Sequence, residues 1–502
     1  MHFLAAAYAR WKHQRDLNLD WKFHQERALA RLLNQARRSR FAIDHELEMR
    51  ASPKTYAERV PLRTYNELHR DYLTGTSPQY RDTLTGIPTR YLLLSSGTSE
   101  GIERRYPLTA LGLRGFQQTA AAQVLSTVAR LGHMRPMMRP FLSIADFSPL
   151  TPLESGVEQG AITQVLANSI PWFVQRKAVR LLGSELSVTE RLDQLVERAL
   201  RCDLGVLTGM TSWLLTFVER AKKLSGHETV RAIWPNLQVI GHGGVPARVY
   251  APVMNETFSC GTKPFVLAES YAASEGYLAY GDAMLDGALR LSSHNGIFYE
   301  FIEVESYRSG RLHRVLAHEV EEGRNYVIAV TTPSGLWSHV IGDVVAFSDA
   351  RLKTLKVLGR LSGSIEVWNE HITESDLDLA IESVRANHGI EVSHYHLGPR
   401  PYGDASGRGR YVLLVTLADD ERHPKAADLG LMVDAELQRI NGYFGKLRAP
   451  GGPIDAPEVH VVPAGFFESW MDERPGGGFQ RKVPRVEGTG KVAAELVARL
   501  RS

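Results

Sequence analysis

Over the first fifty residues apolar positions recur at helical spacing. Trp21, Phe23, Leu29, Leu32 and Leu33 interleave with charge, which predicts amphipathic helices. Pro53, Pro61 and Tyr65 then mark an irregular crossing. Tyr91, Leu92, Leu93 and Leu94 read as a short buried strand, and Ser95-Ser96-Gly97-Thr98-Ser99-Glu100-Gly101 follows at once. Leu111, Phe116, Ala120, Val124 and Val128 are spaced for one buried face, predicting a helix over residues 109–131. Residues 132–163 are rich in Pro, Met and Ser and predict loops. Ser187-x-x-Glu190 is the pattern of a capping box, opening a helix that buries Leu192, Leu195, Val196 and Leu200.

From residue 203 short apolar runs end in small or polar turns. Strands are predicted at 203–208, 237–240 and 265–268, with helices at 213–222 and 248–258 between them. This is the pattern of an α/β sheet with parallel strands, in which ligands bind beyond the carboxyl ends. Between 297 and 358 the helices disappear, and strands at 297–304, 326–332, 343–347 and 352–358 predict a β-rich part with its own antiparallel pairs. After Arg360 the order is helix 373–386, strands 390–397 and 410–417, helix 424–443 and strand 459–462. That is a compact α+β module, so the expected division is a large domain over 1–360 and a small one over 361–502, hinged at 359–363.

Composition narrows the classes. At 502 residues the chain is too long for one core, and 43% hydrophobic with 23% charged residues is ordinary for a soluble globular protein. A net charge of +3 is too mild to imply nucleic acid. Cys202 and Cys260 are the only cysteines and are far apart, which gives neither a metal site nor a disulfide framework and suits a reducing cytosol. No apolar run reaches membrane-spanning length.

Four segments carry candidate chemistry. In the first, residues 95–101, backbone N–H groups and hydroxyls suit a polyphosphate, although a Ser/Gly-rich surface turn fits as well. No Gly-Lys-Ser/Thr closes it, so it is not a Walker loop. In the second, Gly241-His242-Gly243-Gly244, bare backbone can pack on a flat ring. The third, Ser270-Tyr271-Ala272-Ala273-Ser274-Glu275, offers an aromatic face and one carboxylate able to hold Mg²⁺. In the fourth, residues 335–343, Asp343 follows Gly342 and can accept from both hydroxyls of a ribose.

Read in order, SSGTSEGIERRYPLT (95–109), IWPNLQVIGHGG (233–244), ESYAASEGYLAY (269–280), NGIFYEFIEV (295–304), TTPSGLWSHVIGDVV (331–345) and AGFFESWMDERPGGGFQRKVPR (464–485) resemble the acyl acid–amido synthetases of the plant auxin-responsive family and their bacterial relatives, within the adenylate-forming enzymes. The resemblance implies an α/β fold: a large domain of α/β sheets with a β-barrel-like part, and a mobile α+β carboxy-terminal domain. It implies that Ser95, Ser96, Thr98 and Ser99 contact ATP phosphates. Tyr271, with Ser270 and Ala272 beside it, would flank adenine opposite Gly243 and Gly244. Glu275 would take Mg²⁺ or the phosphate end, Asp343 the ribose, and Lys482 would enter the active site from the small domain. The implied substrates are ATP, a small carboxylic acid and an amine; no nucleic-acid or membrane partner is implied.

Two departures stand out. Arg104 occupies the place of the family's usual lysine, keeping charge but not the point-like ammonium. Val340 stands where the family has arginine, so another cation, such as Arg360, must serve or adenylation is slow. His242 fits either a general base or a structural histidine in a glycine turn. Two rivals to the amide ligase follow: an acid–thiol ligase making acyl-CoA, and a nucleotide-binding protein without turnover.

Overall fold

The computed structural model describes residues 2–95, 104–144, 150–170, 172–179, 188–243, 254–258, 264–361, 365, 372–400, 409–417, 426–448, 454–473, 483–488 and 490–501. They form two compact units, one running to Val357 and one from Leu358.

The first unit begins with helices His2–Leu17, Trp21–Ala36 and Arg40–Asp44. Asp20 caps the second by accepting from Phe23 N, and Leu29, Leu32 and Leu33 fill its buried face. These residues join Phe41, Tyr56 and Trp337 in one core. The Trp337 ring stacks on Phe41 at 5.2 Å, and its Nε1 donates to Leu84 O at 2.9 Å. Gly335 has φ +89°, and a Cβ there would lie 2.5 Å from Leu84 Cβ. The amino-terminal helices thus brace the segment that leads into Asp343.

The strands, in chain order, are β1 (Thr89–Ser95), β2 (Arg104–Thr109), β3 (Phe141–Ile144), β4 (Thr151–Pro152), β5 (Glu158–Gly160), β6 (Ala178–Val179), β7 (Val206–Met210), β8 (Val239–Gly243), β9 (Val266–Ala273), β10 (Gly276–Asp282), β11 (Ala288–Leu291), β12 (Phe298–Glu303), β13 (Val315–Leu316), β14 (Asn325–Thr331), β15 (His339–Asp349) and β16 (Thr354–Arg360). One sheet runs β2-β1-β5-β4; the other holds twelve strands in the order β13-β12-β14-β15-β16-β11-β10-β9-β8-β7-β3-β6. Strands β6, β3, β7, β8 and β9 pair in parallel. From β9 to β10 the pairing turns antiparallel, and it is antiparallel again among β12, β13, β14 and β15. The β-rich part expected near 297–358 therefore continues the parallel strands within one sheet.

Residues 132–163 are not the loops expected. They contain β3, which sits between β6 and β7, and the short β4 and β5. Four residues of β3 are too few to show a period, and the pairing partners decide the conformation. The helix expected over 109–131 spans Ala110–Leu131, capped by Thr109 and ended by Gly132 at φ +76°. Ser187 of the expected capping box lies outside the described residues, but its helix is present over Val188–Leu200.

The second unit is built on β17 (Val392–Arg400), β18 (Arg410–Leu417) and β19 (Glu458–Val461), with β18 antiparallel to β17 and parallel to β19. Alternation along β18 divides its side chains. Tyr411, Leu413 and Val415 pack with Leu377, Ile381 and Val433 from helices Glu374–His388 and Ala426–Ile440. Val412 and Leu414 pack with Phe467, Ala493 and Leu496. No helix among the described residues is long and apolar enough to cross a membrane.

Candidate active site

The glycine and tyrosine motifs were expected in turns, but most of their residues are paired strand. Gly241, His242 and Gly243 of β8 stand opposite Ala268, Glu269 and Ser270 of β9. The apolar run that suggests a strand is shorter than the strand, because backbone pairing continues through small residues. Gly243 is required by that pairing, since a Cβ there would sit 2.5 Å from Ser270 O. Ser270 and Tyr271 lie within β9 and Ala272 next to its end; the turn proper is Ser274 and Glu275. Tyr277 Oη of β10 lies 2.8 Å from Ser270 Oγ and 2.6 Å from Gln123 Oε1, and Gln123 Nε2 donates to Glu269 O at 2.8 Å. A polar side chain on the long helix Ala110–Leu131 thereby holds the β9–β10 hairpin.

Asp343 lies within β15 rather than after a turn. Val327 pairs with Val344 and Ala329 with Val340, so Ile341, Gly342 and Asp343 stand against Ile328 alone. Gly342 takes φ +88° in this bulge. The bulge turns Asp343 so that its Oδ2 accepts from Tyr271 Oη at 2.7 Å, and both residues are buried. Two sequence segments, one from the parallel and one from the antiparallel half of the sheet, meet in this bond.

A second cluster surrounds Glu275. Tyr106 of β2 lies beside Glu275 and Arg104: burial first, then the Glu275 charge, pushes its pKa up, and Arg104 opposes the shift. His339 Nε2 lies 3.9 Å from Glu275 Oε1, and the Tyr106 and His339 rings meet edge to face at 5.7 Å. Burial, with Arg104 adding repulsion, lowers the His339 pKa to about 3. Neither ring nitrogen of His339 has a hydrogen-bond partner. Arg104 also lies over the Tyr65 ring at 5.5 Å. Tyr106 and Gln123 were not picked out from the sequence. Tyr106 shares a strand face with Arg104 two residues before it, which period-2 reading would reveal.

His242 is buried, its pKa is lowered to about 4 by that burial, and its Nδ1 has no hydrogen-bond partner. Val340 is buried, and its backbone N donates to Arg63 O at 2.8 Å. Ser95 ends β1 opposite Arg104, so a strand precedes the helix that was expected soon after the loop. Ser96, Thr98, Ser99, Gly244 and Lys482 lie outside the described residues, as do the side chains of Ser95 and Arg360. Among the described residues no group of three His, Cys, Asp or Glu side chains is placed to hold a metal ion. Glu275 as a lone carboxylate nonetheless fits Mg²⁺, which is usually held by one or two carboxylates with phosphate and water completing the shell.

Comparison with known proteins gives this geometry its context. A probable indole-3-acetic acid-amido synthetase GH3.1 from Arabidopsis thaliana is 26% identical over 54% of this chain and 47% of its own. The chain spans about half the length of the first curated relatives it matches. Indole-3-acetic acid-amido synthetase GH3.4 from the same plant is 22% identical over 92% of this chain and 88% of its own. Among solved structures, the GH3.15 acyl acid amido synthetase in complex with 2,4-DB superposes with TM-score 0.79 at 18% identity, covering 97% of this chain and 95% of that one. A 2-hydroxyisobutyryl-CoA ligase in the postadenylation state follows at TM-score 0.61 and 13% identity, over 95% and 91%. These likenesses show the fold, that of adenylate-forming enzymes with a separate carboxy-terminal domain. The models of the GH3 family N-terminal, central and C-terminal domains match residues 11–187, 291–357 and 375–489 in that order, and the chain belongs to the GH3 family.

Proposed function

We propose that the protein is an ATP-dependent acyl acid–amido synthetase, joining a small carboxylic acid to an amine, an amino acid by preference. In the first half-reaction a carboxylate oxygen attacks the α-phosphorus of ATP and pyrophosphate leaves. In the second the amine nitrogen attacks the acyl carbon, the acyl–oxygen bond breaks and AMP departs with its electrons. Activation is needed because a free carboxylate would have to expel oxide. Family membership and the 22% match over most of the chain support this reading. The observation that carries it is the Tyr271–Asp343 hydrogen bond, which joins the two segments assigned to adenine and to ribose.

Asp343 accepts from the ribose hydroxyls while Tyr271 fixes its carboxylate. Tyr271, Ser270 and Ala272 line one side of the adenine, and Gly243 and Gly244 the other. Ser95, Ser96, Thr98 and Ser99 hold the phosphates. Mg²⁺, when bound, neutralises phosphate charge, and Glu275 is the carboxylate offered to it. Arg104 supplies the cation at that end, lying over the Tyr65 ring. Lys482 is assigned to the charge developing at the acyl phosphate. His242 is left out of the chemistry, because an imidazole titrating at about 4 is a weak base.

The test is pyrophosphate release from ATP with a panel of carboxylic acids, followed by hydroxylamine trapping and then amino acids or CoA as acceptor. Acid-dependent pyrophosphate release with amide formation is expected. A thioester with CoA and no amide would replace this reading with an acid–thiol ligase. ATP binding with no pyrophosphate for any acid would leave a nucleotide-binding protein.

A further inference from the structure

A cavity of about 640 Å³ opens between the first two helices and the long helix Ala110–Leu131, all within the first unit. It is not the nucleotide cleft. The long helix turns Phe116, Thr119 and Gln123 toward the sheet, where Gln123 meets Tyr277 and Thr119 Oγ1 lies 2.7 Å from Ser292 Oγ. Arg114, Gln118, Ala121 and Leu125 line the cavity from the opposite helical face.

The charge around the cavity is unbalanced. Asp16 is its one lining carboxylate, and it is already taken by Lys12 Nζ at 2.6 Å and His294 Nε2 at 2.9 Å. Arg290 and His13 share the buried Asp282 at 3.0 and 2.8 Å. Arg27, Arg31 and Arg114 remain. Among the described residues none of the three has a carboxylate within ion-pairing distance. Arg27 and Arg31 are one turn apart on the second helix, and Arg114 lines the same cavity from the long helix. Two helices bring them to one concavity, where each stays exposed. Their field is felt at His24, whose pKa is lowered by burial first and then by His294, Arg27 and Arg31.

The lining supplies a further constraint on a ligand. Ala28, Leu32, Leu111, Ala121 and Leu125 give it apolar surface. The volume falls within the usual range for small-molecule sites. We propose that this cavity binds a small organic dianion, with its anionic group on Arg27, Arg31 and Arg114 and an apolar body against Leu32, Leu111 and Leu125. Guanidinium forks suit phosphate or carboxylate oxygens, and the apolar surface separates such a ligand from inorganic phosphate. This inference does not depend on the reading of the nucleotide cleft.

The test is calorimetric titration of the full-length protein with phenyl phosphate, beside inorganic phosphate and benzoate. Phenyl phosphate should bind more tightly than either, and added salt should weaken it. The variant R27Q/R31Q/R114Q changes exposed side chains only and should lose at least about tenfold in affinity. Ala121→Phe, which keeps every charge but fills the groove, should also lose binding. Asp343→Ala should leave it unchanged. No saturable binding in the millimolar range, undiminished binding in the triple variant, or a loss matched by Asp343→Ala would overturn the proposal.

Discussion

Tyr271 and Asp343 are seventy-two residues apart, and the Tyr271 hydroxyl donates to Asp343 Oδ2 at 2.7 Å in a buried setting. A hydrogen bond to a carboxylate is among the stronger ones, and here it fixes the orientation of the group assigned to ribose. Tyr271→Phe should cost about 1–2 kcal/mol in stability. It should raise KM for ATP several-fold with a smaller change in kcat, while Asp343→Ala abolishes pyrophosphate release. Steady-state kinetics on both variants decide this. Wild-type ATP dependence in each would remove the pair from the site.

Gly342 is the second hinge of that arrangement. At φ +88° it holds the bulge that turns Asp343, yet a Cβ at this position would meet nothing within 4 Å. The cost of Gly342→Ala is therefore conformational and not steric, on the order of 1–2 kcal/mol. The urea midpoint should fall with an unchanged slope, and KM for ATP should rise as Asp343 is turned away. A variant as stable as the parent would show that the backbone there is relaxed in a right-handed conformation.

Much of this was legible in the chain. The helical face of Leu29, Leu32 and Leu33, the helix over 109–131 and the strand over 410–417 are local patterns, and the structure keeps them. Strand ends were not legible. Gly241, Gly243 and Ala272 have weak strand preferences, and only their pairing across β8, β9 and β10 makes them strand. The short β3 escaped for the same reason. In the candidate site the carboxylates Glu275 and Asp343 were picked from motifs, whereas Tyr106 and Gln123 become meaningful only through partners more than a hundred residues away.

Buried histidines set a pH dependence. Burial lowers the pKa of His339 to about 3 and those of His242 and His396 to about 4. Each is neutral in the fold and takes a proton more readily when unfolded, so the unfolded state binds more protons below pH about 6.5. Stability is then fully present above that value and falls with pH, by about 1.4 kcal/mol per histidine for each unit. Asp16, lowered to about 2, adds its own loss only at more acid pH. Urea melts between about pH 7 and 5 should show this slope, and His339→Phe should reduce it by one histidine's share. An identical slope in the variant would mean that His339 protonates normally in the fold.

The second unit contains a pinned segment directly after Lys482. Arg485 Nη1 donates to Asp378 Oδ2 at 2.6 Å, and the Tyr395 hydroxyl donates to Asp378 Oδ1 at 2.5 Å. Leu397 N donates to Arg485 O at 2.7 Å and Glu487 N to Leu397 O at 3.1 Å, a single parallel bridge that ties the segment to β17. The Asp378–Arg485 pair thus anchors the segment at Arg485, three residues after Lys482 in sequence. Arg485→Met alone leaves a buried carboxylate short of its cation and should cost about 3–5 kcal/mol. The double variant D378L/R485M removes both charges and should recover much of that stability. If the pair positions Lys482, the double variant still loses kcat while KM for ATP stays near the parent value, because the residues assigned to adenine and ribose belong to the first unit. A stable double variant turning over at the parental rate would make the pair a packing element alone, and would leave Lys482 positioned by other contacts.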